Sequence, residues 1–252
     1  METITLQNLK PQSLKRKEAL RVLKTNLQFC GDDIKSILIT STVPSECKST
    51  ISVDLAVSLT ESGKRVLLID ADMRKSVLVG RLQAVAENKK EIFGLSHYLS
   101  GQKKLDDVIY STQFSKLFMI FSGPYVPNPT EILDKKYFSE LMSFARNLFD
   151  YVIVDCPPIG ATIDAAVIAK YCDGAIFVVA QGVAGSKLIA GAKQQLEASG
   201  VRILGAVLSG VKTDGSHYGK YYGKYYGKYY GKYYGNGSLE TDTEQEKGTP
   251  KK

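Results

Sequence analysis

Long apolar runs are missing from this chain of 252 residues. No stretch approaches the roughly 20 apolar residues that a membrane-spanning helix needs. The opening sequence METITLQNLK also lacks the basic-then-apolar order of a secretory signal. We therefore expect a cytoplasmic protein built on one main domain with appendages.

Cysteine is also scarce and poorly placed for metal binding. The four cysteines, Cys30, Cys47, Cys156 and Cys172, stand far apart in the sequence. Zinc sites use closely paired cysteines, a spacing that this chain lacks, and scattered cysteines in a cytoplasmic protein favour reduced thiols over disulfides. We expect reduced thiols and no structural metal.

Positive charge is in excess, with a formal net charge of +7, but it is concentrated in a few segments. Four lysines belong to one repeat near the C-terminus, and others cluster around KRK at 15–17. The location of such charge matters more than its total. Solvated basic faces explain this excess of positive charge better than a nucleic-acid site does, so we expect no nucleic-acid partner.

Buried strands and helical patterns alternate along most of the chain. Apolar, β-branched runs cover residues 36–41, 65–70, 117–123, 151–155, 175–180 and 203–209. Helical patterns cover residues 49–62, 129–149, 163–171 and 184–200. This order predicts an α/β fold with a mostly parallel central sheet flanked by helices. Ligands are then expected beyond the carboxyl ends of the strands.

Different patterns flank this predicted α/β core. Residues 15–30 form an amphipathic helical pattern in which Leu20, Leu23 and Leu27 share a face. The sequence GKYY then repeats four times from Gly219 to Tyr234, without aliphatic core residues, which predicts a disordered tail. The predicted division is an N-terminal helical arm (1–35), a central domain (36–212) and a flexible tail (213–252).

The segment TVPSECKSTI at 42–51 has the features of a phosphate-binding loop. Such loops aim backbone N–H groups and a helix N-terminus at an anion, while a lysine, here Lys48, reaches the β and γ phosphates. Ser49 stands where the loop supplies a magnesium ligand, and Thr50 can contact a further phosphate. An ordinary helix cap is the alternative interpretation. The candidate nucleotide-binding residues are Val43, Pro44, Ser45, Glu46, Cys47, Lys48, Ser49 and Thr50.

Acidic residues follow two of the predicted strands directly. Asp70 and Asp72 come after the second strand, and Asp155 ends the fourth. Helix caps or turns would explain each acid separately, but not why each follows a buried run. In a parallel sheet these carboxylates and the phosphate loop meet at one edge, where a cation offsets their repulsion. The candidate magnesium ligands are Ser49, Asp70 and Asp155.

Taken together, residues 15–235 resemble bacterial tyrosine kinases of the CpsD/CapB-like capsule and exopolysaccharide type. The Walker A′ motif of that family, three aliphatic residues followed by Asp-x-Asp-x-Arg, corresponds to LLIDADMR, with Asp70, Asp72 and Arg74 in place. The Walker B strand corresponds to VIVD, which ends at Asp155. The resemblance implies a P-loop NTPase-like kinase domain at 36–212, with Asp72 as the base and Lys48 and Asp70 as further catalytic residues.

The loop departs from the family pattern Pro-Gly-x-Gly-Lys, because Ser45 and Cys47 replace both glycines. Glycine adopts torsions that a side chain disfavours, so we expect weaker nucleotide binding.

The oligomerisation signature Glu-x-x-Arg-x-x-Arg is matched by Glu18 and Arg21, with Lys24 in the last position. Lysine keeps the charge but loses bidentate pairing, so an expected ring would be weaker.

The tail supplies the candidate phosphate acceptors. Tyrosine with lysine can also stack on single-stranded nucleic acid, and aromatic-glycine repeats can bind sugars or self-associate. As substrates, however, these tyrosines would give the nucleotide site an acceptor that reaches a neighbouring subunit. The candidate acceptors are Tyr218, Tyr221, Tyr222, Tyr225, Tyr226, Tyr229, Tyr230, Tyr233 and Tyr234.

The resemblance implies an autophosphorylating tyrosine kinase, dependent on ATP and Mg²⁺, that regulates capsular or exopolysaccharide synthesis and export. Its implied partners are a membrane adaptor or polysaccharide co-polymerase that activates the kinase, a cognate phosphotyrosine phosphatase, and further copies of the chain. The adaptor would place it at the inner face of the plasma membrane.

Two other functions fit parts of the sequence. A switch ATPase of the ParA/MinD type shares the loop, but its signature lysine falls five residues before the loop lysine, where this chain has Val43. A scaffold protein with impaired nucleotide binding would explain the missing loop glycines.

Overall fold

The computed structural model describes residues 2–9, 12–88 and 91–211. The strands are β1 (Glu2–Leu6), β2 (Ser36–Ser41), β3 (Val66–Asp70), β4 (Ala84–Ala86), β5 (Tyr110–Thr112), β6 (Leu117–Ile120), β7 (Tyr151–Asp155), β8 (Gly174–Ala180) and β9 (Ile203–Ser209). The α-helices are α1 (Leu14–Phe29), α2 (Lys48–Glu61), α3 (Leu78–Leu82), α4 (Leu95–Leu99), α5 (Pro129–Leu133), α6 (Lys136–Leu148), α7 (Asp164–Ala169) and α8 (Ser186–Ala198). A short 3₁₀ helix covers Leu105–Asp107.

Within the described residues one sheet has the strand order β4-β1-β5-β6-β3-β7-β2-β8-β9. All neighbours from β6 to β9 run parallel, whereas β1 with β4 and β5 with β6 are antiparallel. The predicted fold class is therefore confirmed: a mostly parallel sheet flanked by helices.

The central strands are buried on both faces. In β2, Leu38 belongs to one hydrophobic core, while Ile37 and Ile39 belong to the core on the opposite face. Side chains alternate across a strand, so a run that is apolar at every position needs cover on both sides. Strands β2, β3 and β7 thus lie buried at the centre of the sheet, and the site follows their carboxyl ends.

All six strands predicted from apolar runs are present, with small shifts at their ends. The predicted helix at 129–149 is instead two helices, α5 and α6, because Lys135 adopts an extended conformation with ψ of 165°. Strands β1, β4 and β5 were not predicted. Two of them have only three residues, too few for a recognisable alternation.

The first 35 residues do not form a separate arm in the structure. Strand β1 pairs with β4 and β5 in the central sheet. Helix α1 packs on α2, where Arg16 Nε donates to Asp54 Oδ2 at 2.5 Å. Leu20 and Leu27 form its buried face. The predicted division at residue 35 therefore cuts through one compact unit, which continues to Gly210.

The oligomerisation candidates on α1 make different contacts. Arg21 Nη1 and Glu18 Oε2 form an exposed ion pair at 3.2 Å. Lys24 Nζ instead donates to Ser62 Oγ at the end of α2. Glu18 and Arg21 thus remain on the surface, while Lys24 is engaged within its own chain.

The predicted tail and its tyrosines lie outside the described residues. Within the described part of the chain, no helix combines the length and the apolarity needed to cross a membrane.

One carboxylate joins the beginnings of β2 and β8. Asp173 Oδ2 accepts from Ser36 N at 2.8 Å, Ser36 Oγ at 2.7 Å and Lys35 N at 3.1 Å, and Arg146 Nη1 lies 2.5 Å from Oδ1. Burial alone would raise the pKa of Asp173. The donors from Ser36, Lys35 and Arg146 outweigh it and lower the pKa from its ordinary 3.8.

Asp173→Asn should lower the free energy of unfolding by about 1–3 kcal/mol at pH 7, because it removes the charge from these hydrogen bonds. A lowered pKa means that this stabilisation is present above pH 3.8 and is lost as the pH falls through the folded-state value. Urea titrations from pH 7 to pH 3 should therefore show wild type and variant converging in acid. The exposed Asp134→Asn serves as the control, and a constant gap across that range would contradict the assignment.

Candidate active site

The phosphate loop joins β2 to α2, and two of its residues hold left-handed backbone torsions. Ser45 has φ of 68° and Cys47 has φ of 67°, although neither is glycine. Such torsions cost a side-chain-bearing residue about 1–2 kcal/mol each. These are the two positions where the family pattern has glycine, so the loop keeps a glycine-type course without glycine.

The interior of the loop is held by Glu46, which is completely buried. Its Oε2 accepts from Val43 N at 2.8 Å, and its Oε1 accepts from Ala180 N at 3.0 Å, at the end of β8. Its backbone carbonyl accepts from Ser209 Oγ at 2.8 Å. Val43 and Glu46, both candidate nucleotide-binding residues, are thus bound to each other, whereas Pro44, Ser45 and Cys47 are exposed.

Lys48 lies where α2 begins and points into a cluster of acids. Its Nζ is 3.3 Å from Asp72 Oδ2 and 3.4 Å from Ser49 Oγ. Burial lowers the pKa of Lys48, but Asp155, Asp72 and Asp70 outweigh that effect and raise it. The lysine is therefore a fixed positive charge at neutral pH.

Asp70 and Asp155 are register partners at the carboxyl ends of β3 and β7, and both are 1% exposed. Burial, followed by the neighbouring Asp155, raises the pKa of Asp70 to about 7. Burial also raises the pKa of Asp155, against the opposing effects of Lys48, Ser49 and Ser52. A cation placed beside them would favour the charged form of both carboxylates.

These acids have the donor atoms that a magnesium ion uses. Asp155 Oδ1 accepts from Ser52 Oγ at 3.0 Å, while its buried Oδ2 has no hydrogen-bond partner in the described part of the chain. No group of three His, Cys, Asp or Glu residues among those described could hold a metal alone. The buried Oδ2 of Asp155 would suit an ion that completes its shell with phosphate oxygens and water.

The segment after β3 carries Asp72 and is stiffened by its own hydrogen bonds. Asp72 N donates to Asp70 Oδ1 at 3.2 Å, and Asp72 Oδ1 accepts from Lys75 N at 3.0 Å. Ser76 Oγ donates to Asp70 Oδ2. Asp72 is only 6% exposed, so its position beside Lys48 is well defined.

Sequence reasoning missed two partners of this site. Arg74 binds Asp164, at the start of α7, through Nε to Oδ2 at 2.6 Å and Nη2 to Oδ1 at 3.0 Å. Arg81 of α3 donates to the hydroxyl of Thr50. The Walker A′ pattern included Arg74, but no local signal marked Asp164 or Arg81 as partners.

The segment after Asp155 packs on the phosphate loop. Thr40 Oγ1 donates to Pro157 O at 2.8 Å, and a Cβ at Gly160 would lie 2.4 Å from Thr42 O. This close approach requires glycine at 160. The structure thus brings Lys48 together with all three predicted acids at one edge of the sheet.

The geometry defines a class: an α/β nucleotide-binding protein of the P-loop type. Residues 35–185 match the family model of the AAA domain. The chain is 42% identical over 207 residues to the tyrosine-protein kinase CpsD of Streptococcus agalactiae serotype III, covering 82% of this chain and 88% of that protein. It is 35% identical to the tyrosine-protein kinase YwqD of Bacillus subtilis, covering 84% and 88%. The chain therefore belongs to the bacterial tyrosine kinases, as its motifs indicated.

Solved structures agree with this family assignment. The kinase domain of the Escherichia coli tyrosine kinase ETK matches with a TM-score of 0.72 and 34% identity, covering 80% of this chain and 78% of that one. The septum site-determining protein MinD from Pyrococcus horikoshii, complexed with Mg-ADP, matches with a TM-score of 0.58 and 26% identity, covering 69% of each chain. The switch ATPases thus share the fold, but Val43 occupies the position of their signature lysine.

Cys47→Gly should tighten ATP binding by up to about tenfold, or 1.4 kcal/mol, because glycine holds φ of 67° without strain and removes a Cβ from the loop. Cys47→Ala is the matched control, since it removes the thiol but keeps the Cβ, and its affinity should stay at the wild-type value. Calorimetric titration with ATP and Mg²⁺ measures both. Equal affinity in all three proteins would show that the loop never needed that glycine.

Proposed function

We propose that this kinase transfers the γ-phosphate of ATP to tyrosines in the C-terminal tail of a neighbouring copy. The observation that supports this most strongly is the cluster of Lys48 with Asp70, Asp72 and Asp155 at the carboxyl edge of the sheet. Phosphoryl transfer depends on positioning and electrostatic stabilisation, and this cluster offers both.

Lys48 supplies the positive charge that would face the β and γ phosphates. Its place at the beginning of α2 adds the free N–H groups of a helix N-terminus. The Asp72 carboxylate, 3.3 Å away, holds the ammonium in that position. Thr50 and the exposed part of the loop would contact the remaining phosphate oxygens.

Asp72 is the proposed base. A tyrosine hydroxyl has a pKa near 10, so a positioned carboxylate helps by accepting its proton as the oxygen attacks phosphorus. The new O–P bond forms as the bond to the β-phosphate oxygen breaks, and ADP leaves. The hydrogen bond from Lys75 N and the contact with Lys48 hold the Asp72 carboxylate in a fixed orientation.

Ser49, Asp70 and Asp155 are the proposed magnesium ligands, partly through water. A bound Mg²⁺ neutralises charge on the phosphates. Burial is the main cause of the raised pKa values of Asp70 and Asp155, so a cation beside them would favour the charged form of each carboxylate.

The wider role is proposed from the family. The kinase would regulate capsular or exopolysaccharide synthesis and export, with a membrane adaptor that activates it and a phosphatase that resets it. Glu18 and Arg21, exposed on α1, are available for contacts within a ring of subunits. The adaptor would bring the kinase to the inner face of the membrane.

Lys48→Met and Asp72→Asn should each abolish most tail phosphorylation, because one removes the charge facing the phosphates and the other the base. Purified protein is incubated with ATP and Mg²⁺, with and without a cytoplasmic adaptor segment, and phosphotyrosine is mapped by mass spectrometry. Losses of about 100-fold or more are expected from a general-base contribution.

Lys193→Met provides the control, since Lys193 is an exposed lysine that pairs with Glu197 on α8. Its activity should match wild type. Persistent phosphotyrosine in both active-site variants would place catalysis elsewhere. Wild-type protein that binds no ATP would instead favour the scaffold alternative, for which the strained Ser45 and Cys47 are the supporting observation.

A further inference from the structure

We propose that Glu46 is a positioning residue that holds the phosphate loop in its nucleotide-binding shape. Its hydrogen bonds stabilise the loop torsions that glycine would adopt without strain. The inference rests on the proposed function, since the affected ligand is ATP. It assigns Glu46 a role different from direct nucleotide contact, because its carboxylate is turned into the protein.

The carboxylate joins two separate parts of the molecule. One oxygen accepts from Val43 N at 2.8 Å, within the loop, and the other accepts from Ala180 N at 3.0 Å, at the end of β8. Both contacts are charge-assisted hydrogen bonds, which are stronger than neutral ones. A fully buried carboxylate is retained only where such donors satisfy it. Glu46 therefore fixes the start of the loop to a neighbouring strand.

The backbone of Glu46 adds a third attachment. Its carbonyl accepts from Ser209 Oγ at 2.8 Å, at the end of β9. The residue is thus bound to the loop itself, to β8 and to β9. Strands β8 and β9 are neighbours in the sheet, so these hydrogen bonds connect the centre of the loop to the sheet.

The two strained residues flank Glu46 directly. Ser45 and Cys47 both have positive φ, and the Glu46 residue between them is buried. Glycine adopts these torsions at little cost, whereas Ser45 and Cys47 carry side chains and therefore favour negative φ. A flip at either residue would reorient the amides that a phosphate needs. The attachments of Glu46 oppose that flip.

The three hydrogen bonds that Glu46 accepts are called the clamp below. Glu46→Gln tests this clamp with a residue of the same shape. Glutamine has one carbonyl oxygen, so either Val43 N or Ala180 N loses its acceptor and meets an NH₂ donor instead. We expect the dissociation constant for ATP with Mg²⁺ to rise about tenfold, while kcat at saturating ATP changes by less than about threefold. Glu197→Gln, at an exposed ion pair on α8, is the matched control and should change neither value.

A second substitution separates positioning from general stability. Cys47→Gly in the Glu46→Gln background should bring the affinity close to that of Cys47→Gly alone, because glycine holds the torsion without the clamp. The gain should be several times larger than that from Cys47→Gly alone. Equal gains in the two backgrounds, or a Glu46→Gln variant that melts earlier but binds ATP normally, would overturn the proposal.

Amide hydrogen exchange gives a readout that needs no nucleotide. In Glu46→Gln at least one of the amides of Val43 and Ala180 should exchange about tenfold faster than in wild type, while Leu38 in β2 stays protected. Unchanged exchange at both amides would overturn the clamp. If wild type binds no ATP, the proposed function fails, yet this exchange measurement still decides the role of Glu46.

Ser209→Ala is the alternative should Glu46→Gln not fold. It removes only the hydroxyl that donates to the Glu46 carbonyl and leaves the carboxylate in place. We expect ATP binding about threefold weaker, with recovery on adding Cys47→Gly. Unchanged affinity together with unchanged exchange at Val43 would count against the proposal.

Discussion

The Lys48 ammonium and the carboxylates of Asp70, Asp72 and Asp155 share one buried space at the carboxyl edge of the sheet. The rest of the structure determines that arrangement. Strands β3 and β7 lie side by side, so that Asp70 and Asp155 meet, and α2 begins beside them with Lys48. Burying several like charges is costly unless positive charge shares them, and one lysine does not balance three carboxylates.

The phosphate loop meets an additional constraint. Its backbone follows a course that normally requires glycine at two positions, and Ser45 and Cys47 follow that course with side chains attached. Hydrogen bonds to the side chain and the carbonyl of Glu46 connect the loop to the ends of β8 and β9. They oppose a change in the strained torsions. The torsions of the loop are thus coupled to the edge of the sheet through Glu46.

Much of this site could be predicted from sequence because its signals are local. Each acid follows a buried apolar run, and parallel strands bring their carboxyl ends together, so the meeting of Asp70 and Asp155 needed no knowledge of side-chain contacts. The positive φ at Ser45 and Cys47 followed from the glycines that the family pattern has there. The family membership, the kinase class and the fold class were all confirmed by the comparisons.

The remaining features depend on contacts between distant segments. Ala180 is 134 positions from Glu46, and Asp164 is 90 positions from Arg74. No periodicity or motif reports such pairs. Strand β1 was missed for a related reason, because its place in the sheet depends on pairing with β4 and β5, which lie far along the chain. The division of the chain at residue 35 followed from that omission.

We infer that the three carboxylates and Lys48 act together on one nucleotide with its magnesium ion. The most direct measurement is the dissociation constant of ATP with and without Mg²⁺, in wild type and in Asp155→Asn. We expect Mg²⁺ to tighten binding to wild type by about tenfold or more, and Asp155→Asn to lose this gain while keeping its magnesium-free affinity. The same magnesium dependence in both proteins would contradict it.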